Sequence, residues 1–174
     1  MPSLAADKVH EGPRGAGTAA ALAWAALEVR RRGGPEAAMV SVHADAAIGD
    51  DAAFRTVLAT AARGASAHDS LVTVGIIPTD ANPGLGYIEA GAALDADCAR
   101  VARFLEKPDR AKAERLVAQG CLWNSGIFAW RAETFLAELR AHTPELADAL
   151  TAAPSGREAF FAAVRDTVSV DVGV

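Results

Sequence analysis

The strongest constraint on how this chain can fold is a steady alternation of short, β-branched apolar runs with longer stretches of helix formers. Residues 71–77, Leu-Val-Thr-Val-Gly-Ile-Ile, are rich in side chains whose branching suits a pleated surface, and Pro78 then removes a backbone donor. They predict a strand. Residues 38–42, Ala-Met-Val-Ser-Val, lack a helical period and predict a second. Between them Asp50 or Asp51 is placed to cap a helix whose Phe54, Val57, Leu58 and Ala61 share one face. Upstream, residues 18–28 are dense helix formers. Arg30, Arg31 and Arg32 follow, suited to the negative end of a helix dipole, and then the breakers Gly33, Gly34 and Pro35.

The alternation continues downstream. Residues 79–84 carry turn chemistry and lead to a short strand at 86–89. Residues 100–106 predict another strand, which Pro108 ends. Asp109 can cap a helix running to Gln119, with Gly120 as its stop. Residues 122–130 suit a turn and a strand. Helices are expected at 133–141 and after Pro144, and Ser155 with Glu158 reads as a capping box for a helix carrying Phe160, Phe161 and Val164. Residues 168–172 alternate like a closing strand. The pattern predicts a layered α/β sheet with helices packed on it, in which ligands bind just beyond the carboxyl ends of strands.

Composition narrows the function classes. Seventeen Lys and Arg against 22 Asp and Glu leave a net charge of -5, and no basic block is longer than Arg30-Arg31-Arg32. Nucleic-acid binding needs a basic stripe along phosphates, so none is expected. The longest apolar run, residues 19–27, is under half the roughly 20 residues that span a bilayer. The N-terminus lacks a cationic stretch followed by an apolar one, so the expected compartment is the cytoplasm, with no membrane partner. Cys98 and Cys121 are too few for a disulfide framework and read as free thiols.

Four stretches after predicted strands combine polar groups with glycine or proline: His43-Ala44-Asp45, Gly84-Leu85-Gly86-Tyr87, Glu106-Lys107-Pro108 and Trp123-Asn124-Ser125-Gly126. Taken singly, each has an ordinary structural explanation. Asp45 is either a metal carboxylate or a turn residue. Glu106 and Lys107, if on a strand, face opposite sides and could be a solvated edge pair. Asn124 before Ser125-Gly126 could simply form a turn.

Their order and spacing together resemble the mannose-1-phosphate guanylyltransferases of the sugar-phosphate nucleotidyltransferase family, over nearly the whole chain. Gly12-Pro13-Arg14-Gly15-Ala16-Gly17-Thr18-Ala19-Ala20-Ala21-Leu22 looks like E-P-x-x-R-x-T-A-P-A-I, and Val42-His43-Ala44-Asp45-Ala46-Ala47-Ile48 like L-P-A-D-H-x-I. Residues 72–79 and 83–89 are similar to G-I-x-P-T-x-P-x-T-G-Y-G-Y-I. Phe104-Leu105-Glu106-Lys107-Pro108-Asp109 resembles F-x-E-K-P-D, Leu122-Trp123-Asn124-Ser125-Gly126-Ile127-Phe128 resembles W-N-S-G-M-F, and residues 169–174 resemble the start of S-I-D-Y-G-V-M-E. The Glu-Lys-Pro motif is shared by many sugar nucleotidyltransferases, whereas Trp-Asn-Ser-Gly in this company points to the mannose branch.

The resemblance implies a Rossmann-like nucleotide-diphospho-sugar transferase fold, a mixed sheet flanked by helices, of which residues 1–174 form an incomplete catalytic domain. It implies an enzyme that joins GTP and mannose-1-phosphate into GDP-mannose and pyrophosphate, with Mg²⁺. Such a reaction is mostly positioning and charge neutralisation of two polyanions. By the resemblance, Asp45 is the metal ligand and, with Lys107, catalytic. Gly86, Glu106, Lys107 and Asn124 would bind the sugar phosphate, and Gly17 and Thr18 the nucleotide.

The chain also departs from the family pattern. It contains no G-x-G-x-R-L-x-P-L loop and no W-x-D-x-G segment carrying a second metal aspartate, His43 replaces the motif proline and Ala46 its histidine, and Gly15-Ala16-Gly17 is longer than the pattern. A central fragment is therefore expected, inactive alone and, with unpaired strand edges, prone to form homo-oligomers. Alternatives are another sugar-1-phosphate as substrate, or a non-catalytic sugar-phosphate-binding module. A dinucleotide reading of Gly15-Ala16-Gly17-Thr18-Ala19-Ala20 needs an apolar strand just upstream, and residues 8–13 are too polar to be one.

Overall fold

The computed structural model describes residues 12–170. The elements run α1 (Gly17–Gly33), β1 (Ala38–Ser41), α2 (Asp51–His68), β2 (Val72–Ile76), β3 (Tyr87–Ala93), β4 (Ala99–Leu105), α3 (Arg110–Ala118), β5 (Leu122–Arg131), α4 (Ala132–His142), α5 (Ala147–Ala152) and α6 (Arg157–Ala163). The expected α/β alternation is present. Packing divides the chain into two compact units, one of residues 40–130 and one of residues 1–39 with 131–174.

The continuous unit is built on the sheet, ordered β1-β5-β3-β4 with β2 also paired to β5. β5 pairs antiparallel with β2 and β3, and β3 antiparallel with β4. Asp50 caps α2 as expected, its Oδ1 accepting from the N–H groups of Ala52 and Ala53 at 2.9 Å each. That helix buries Ala61 and Ala65 against Ala129, with Val40, Val72 and Val74 packed around them. Small side chains let helix and sheet approach closely here. Asp109 caps α3 through Lys112 N–H at 2.7 Å, and Gly120 takes a φ of +80° just past its end. Ala113 and Leu116 of α3 then join Tyr87 and Cys121 in a second cluster.

β3 runs on to Ala93, well past the expected end at 89. Ala90, Gly91 and Ala93 carry little strand propensity of their own, and pairing of Ala90 with Val101 and Ala93 with Ala99 supplies what propensity does not. Residues 122–130 form one long strand instead of a turn and a strand. The extra residues of β5 are absorbed in a bulge: Thr73 pairs with Phe128 while Gly75 pairs with Asn124, so one residue of β2 faces three of β5.

In the discontinuous unit, α1 lays Ala19, Ala20, Ala23 and Ala26, all fully buried, into a helical interface that includes α4. α4 contributes buried Phe135, Leu136 and Leu139 to the same unit. Trp24 meets Phe160 and Phe161 of α6 at ring-centroid distances of 5.5 and 6.4 Å. Arg14 donates to the carbonyls of Phe161 and Val164, and Arg30 pairs with Glu133 at 2.8 Å.

Two expectations fail here. Residues 168–169 are not a strand, and Val170 is not in one; residues 171–172 of the expected strand lie outside the described residues. Their hydrogen bonds are spent at the start of α1 instead: Val168 C=O accepts from Ala19 N–H at 3.1 Å, and Val170 N–H donates to Thr18 Oγ1 at 3.0 Å. One orphan donor at the start of the helix is satisfied this way, Ala16 providing no side-chain cap. Nor do Ser155 and Glu158 form a capping box. Pro154 draws Ser155 into a 3₁₀ turn, and Gly156, at φ +107°, becomes the residue before α6 with no side-chain cap.

Candidate functional site

Within the continuous unit the sheet brings three of the expected residues together. Gly86, at the entry to β3, is buried, and its C=O accepts from Asn124 N–H at 2.8 Å. A Cβ built at position 86 would lie 2.8 Å from Glu106 Oε2, 3.2 Å from Phe104 Cζ and 3.4 Å from Asn124 Cβ. Glycine is there because Phe104 of β4, Asn124 of β5 and Glu106 just past β4 pack over that Cα and leave no room for a side chain.

Glu106 and Lys107 depart from the strand reading. β4 ends at Leu105, so the pair lies beyond the sheet, and Lys107 takes the left-handed φ of +41°. The turn brings the two side chains to the same side, where Lys107 Nζ lies 3.0 Å from Glu106 Oε1. Pro108, buried directly after, anchors that turn, while both charged groups stay accessible. A non-glycine residue held left-handed stores strain of about 1–3 kcal/mol, a frequent mark of a site whose geometry is imposed by its surroundings.

Asn124 sits at the start of the β5 bulge. Its Oδ1 accepts from Thr73 Oγ1 at 2.9 Å and from Gly126 N–H at 3.2 Å. Ser125 Oγ donates to Val74 C=O at 2.6 Å and accepts from Ile127 N–H at 3.0 Å. Asn-Ser-Gly thus replaces ladder hydrogen bonds by side-chain ones, and Gly126 supplies the φ of +69° that the bulge requires. The amide of Asn124 is oriented by this network, with Oδ1 filled.

Asp45 is exposed in the turn after β1. Two residues earlier, the His43 ring lies directly over Gly126, in the space a Cβ there would take. The loop carrying Asp45 is therefore in contact with the bulge that orients Asn124. Gly17 and Thr18 belong to the other unit. Gly17 has φ +82° and is crowded by Thr167 and Val168, and Thr18 Oγ1 accepts from Val170 N–H. In this structure both residues tie the start of α1 to residues 167–170.

The sequence assigns no site role to Thr73 or Phe104, and it marks His43 only as a departure from the motif proline. Thr73 had a visible signal, a lone hydroxyl in the middle of an apolar strand. The contacts of Phe104 and His43 arise only from register. Neither thiol is an activated nucleophile: burial raises the pKa of both Cys98 and Cys121.

The family profile described as Nucleotidyl transferase matches residues 5–174. The chain is 46% identical over 145 residues to the xanthan biosynthesis protein XanB of Xanthomonas campestris pv. campestris (strain B100), covering 83% of this chain and 30% of that protein. It is 41% identical over 146 residues to a mannose-1-phosphate guanylyltransferase of Klebsiella pneumoniae, covering 81% and 30%. The chain spans about 30% of the length of these curated relatives. Among solved structures, a Thermus thermophilus protein described as a mannose-1-phosphate geranyltransferase superposes with a TM-score of 0.86 at 31% identity, over 95% of this chain and 48% of that one. No helix among the described residues is long and apolar enough to cross a membrane. With the motif order, the sheet that carries it and these relatives in agreement, the chain belongs to the nucleotidyl transferase family, among relatives of the sugar-phosphate kind.

Proposed function

We propose that this chain carries the sugar-phosphate side of a site at which GTP and mannose-1-phosphate give GDP-mannose and pyrophosphate. The observation that supports it most is the convergence of Glu106, Asn124 and Phe104 over the bare Cα of Gly86. That packing holds the exposed Glu106 carboxylate close to Asn124, where it can accept from the hydroxyls of a sugar. Asn124, its amide oriented by Thr73 and Gly126, would contact the sugar beside Glu106. Lys107 would leave Glu106 to neutralise the sugar phosphate, freeing the carboxylate for a hydroxyl in the same movement.

In the reaction a phosphate oxygen of the sugar-1-phosphate forms a bond to the α-phosphorus of the triphosphate, and the bond from that phosphorus to pyrophosphate breaks. This chain's residues would hold the attacking phosphate in line, so that orientation supplies much of the rate. Asp45 fits a Mg²⁺ ligand, being an exposed hard-oxygen donor in the turn at the carboxyl end of β1. The ion would supply charge neutralisation at the phosphate oxygens. Gly17 and Thr18 would contact the nucleotide, a role that rests on their resemblance to the family motif.

Titration calorimetry with mannose-1-phosphate tests the reading. The chain is expected to bind it, Lys107→Ala to weaken binding by roughly tenfold or more through loss of a charge-assisted contact, and Asn124→Ala to weaken it less. Equal affinity for Lys107→Ala and the parent chain would remove Lys107 from the site. Tighter binding of glucose-1-phosphate would assign the pocket to another hexose.

A further inference from the structure

A second cluster lies at the other end of α2, in the same unit and made of residues the proposed transfer does not use. His68 is the last residue of α2, and Asp95 and Cys98 lie in the turn between β3 and β4. One donor atom from each lies within 4.8 Å of the others. His68 Nε2 is 2.6 Å from Asp95 Oδ2. The other oxygen, Asp95 Oδ1, is fixed by the N–H groups of Asp97 and Cys98 at 2.8 Å each, so Oδ2 is aimed at the histidine by the turn itself. The sulfur is seated by the helix: a Cβ on Gly64 would lie 2.6 Å from Cys98 Sγ. Gly64 and His68 are four residues apart on one face of α2, so sulfur and imidazole are presented side by side.

We propose that His68 Nε2, Asp95 Oδ2 and Cys98 Sγ bind a divalent cation of the zinc class, clipping the end of α2 to the β3–β4 turn. The donor set selects that class. A nitrogen, a carboxylate oxygen and a sulfur suit a borderline-soft ion and not Mg²⁺, which prefers oxygen throughout. Ligand bonds of about 2.0–2.3 Å in a tetrahedron separate donors by roughly 3.3–3.7 Å, so the His68–Asp95 contact opens by under about 1 Å to admit the ion. His68 and Cys98 also line a cavity of about 660 Å³, together with Leu94 and Asp97, from which water would complete the shell. Binding takes Cys98 as thiolate and releases its proton to solvent. Without the ion, burial and the charges of Asp95 and Asp97 keep that thiol protonated; a cation placed among them reverses the balance.

The test uses Co²⁺ as a spectroscopic substitute on the 174-residue chain. One equivalent is expected to give a thiolate-to-cobalt charge-transfer band, displaced by Zn²⁺ and unaffected by excess Mg²⁺. Cys98→Ser is expected to abolish the band and His68→Gln to weaken binding by more than about tenfold, since even changes beyond the direct ligands reach that size. Cys121→Ser is expected to leave it intact. A second measurement needs no variant: Zn²⁺ is expected to slow alkylation of Cys98, read by peptide mass, several-fold more than that of Cys121. Absence of the band, its persistence in Cys98→Ser, or alkylation of Cys98 at one rate with and without Zn²⁺ overturns the proposal and leaves a metal-free His68–Asp95 ion pair. None of these outcomes depends on mannose-1-phosphate binding.

Discussion

Lys107 meets two opposed demands, one on charge and one on backbone. Its left-handed φ of +41° is unfavourable for any residue with a Cβ, by about 1–2 kcal/mol, whereas glycine adopts it freely. Lys107→Gly is therefore expected to raise the unfolding free energy, by about 0.5–1 kcal/mol after glycine's extra unfolded-state entropy, while losing sugar-phosphate affinity. Urea melts beside calorimetry check it, and a stability loss would show that the turn is not strained. Asp95 makes a different single-residue prediction. Its hydrogen bond from His68, with those from Asp97 and Cys98 N–H, holds its carboxyl at about 2. A depressed acid stabilises the fold above its unfolded value, near 3.9, and that contribution disappears as pH falls toward 2. The urea midpoint of the parent chain is expected to fall more steeply between about pH 4 and 2 than that of Asp95→Asn. Parallel curves would mean that Asp95 titrates alike in the folded and unfolded chain.

At the scale of elements, the β5 bulge is the device that shapes the candidate site. Gly126→Ala places a Cβ at φ +69° and into the His43 ring, so two penalties add. A loss of about 2–4 kcal/mol is expected, from strain and overpacking together. Since His43 is exposed, His43→Ala in the Gly126→Ala background is expected to restore the steric part and leave the backbone part. A double mutant no more stable than Gly126→Ala alone would show that the backbone accounts for the whole effect. The same bulge explains why residues 122–130 were hard to divide from sequence. Asn, Ser and Gly are turn formers, and here they make their turn inside a strand, with Thr73 and Val74 of β2 as hydrogen-bond partners.

Across the whole molecule, burial rests on unlike materials in the two units. The discontinuous unit combines Trp24, Phe135, Phe160 and Phe161 with the alanine face of α1, where Ala23 lies fully buried. Ala23→Leu is expected to destabilise by about 1–3 kcal/mol through overpacking, despite better burial of apolar surface on paper. Thermal melts of the chain settle it, and a raised melting temperature would reveal an unfilled cavity along α1. Surface ion pairs such as Arg110–Glu114, both largely exposed, contribute little to this balance.

Local chemistry was readable from the chain where it decides structure within a few residues. Asp50 and Asp109 cap the helices expected of them, Gly120 stops α3, and Pro78 and Pro108 each follow the end of a strand. The candidate residues could be read as a set, because the order Asp45, Gly86, Glu106-Lys107, Asn124 resembles a family pattern. What they touch was decided by pairing between distant segments. Register alone puts Phe104 and Asn124 over Gly86, gives Ala90, Gly91 and Ala93 a strand they would not form unaided, and brings His43 onto Gly126. The 168–172 alternation pointed to a strand for the same reason that the capping box misled. Local pattern states what a segment can do, but the Ala19 N–H and Thr18 hydroxyl at the start of α1 and the φ of Gly156 settled what residues 168–170 and 155–158 did. Backbone donors without a partner are a property of the folded neighbourhood, and no window of sequence contains them.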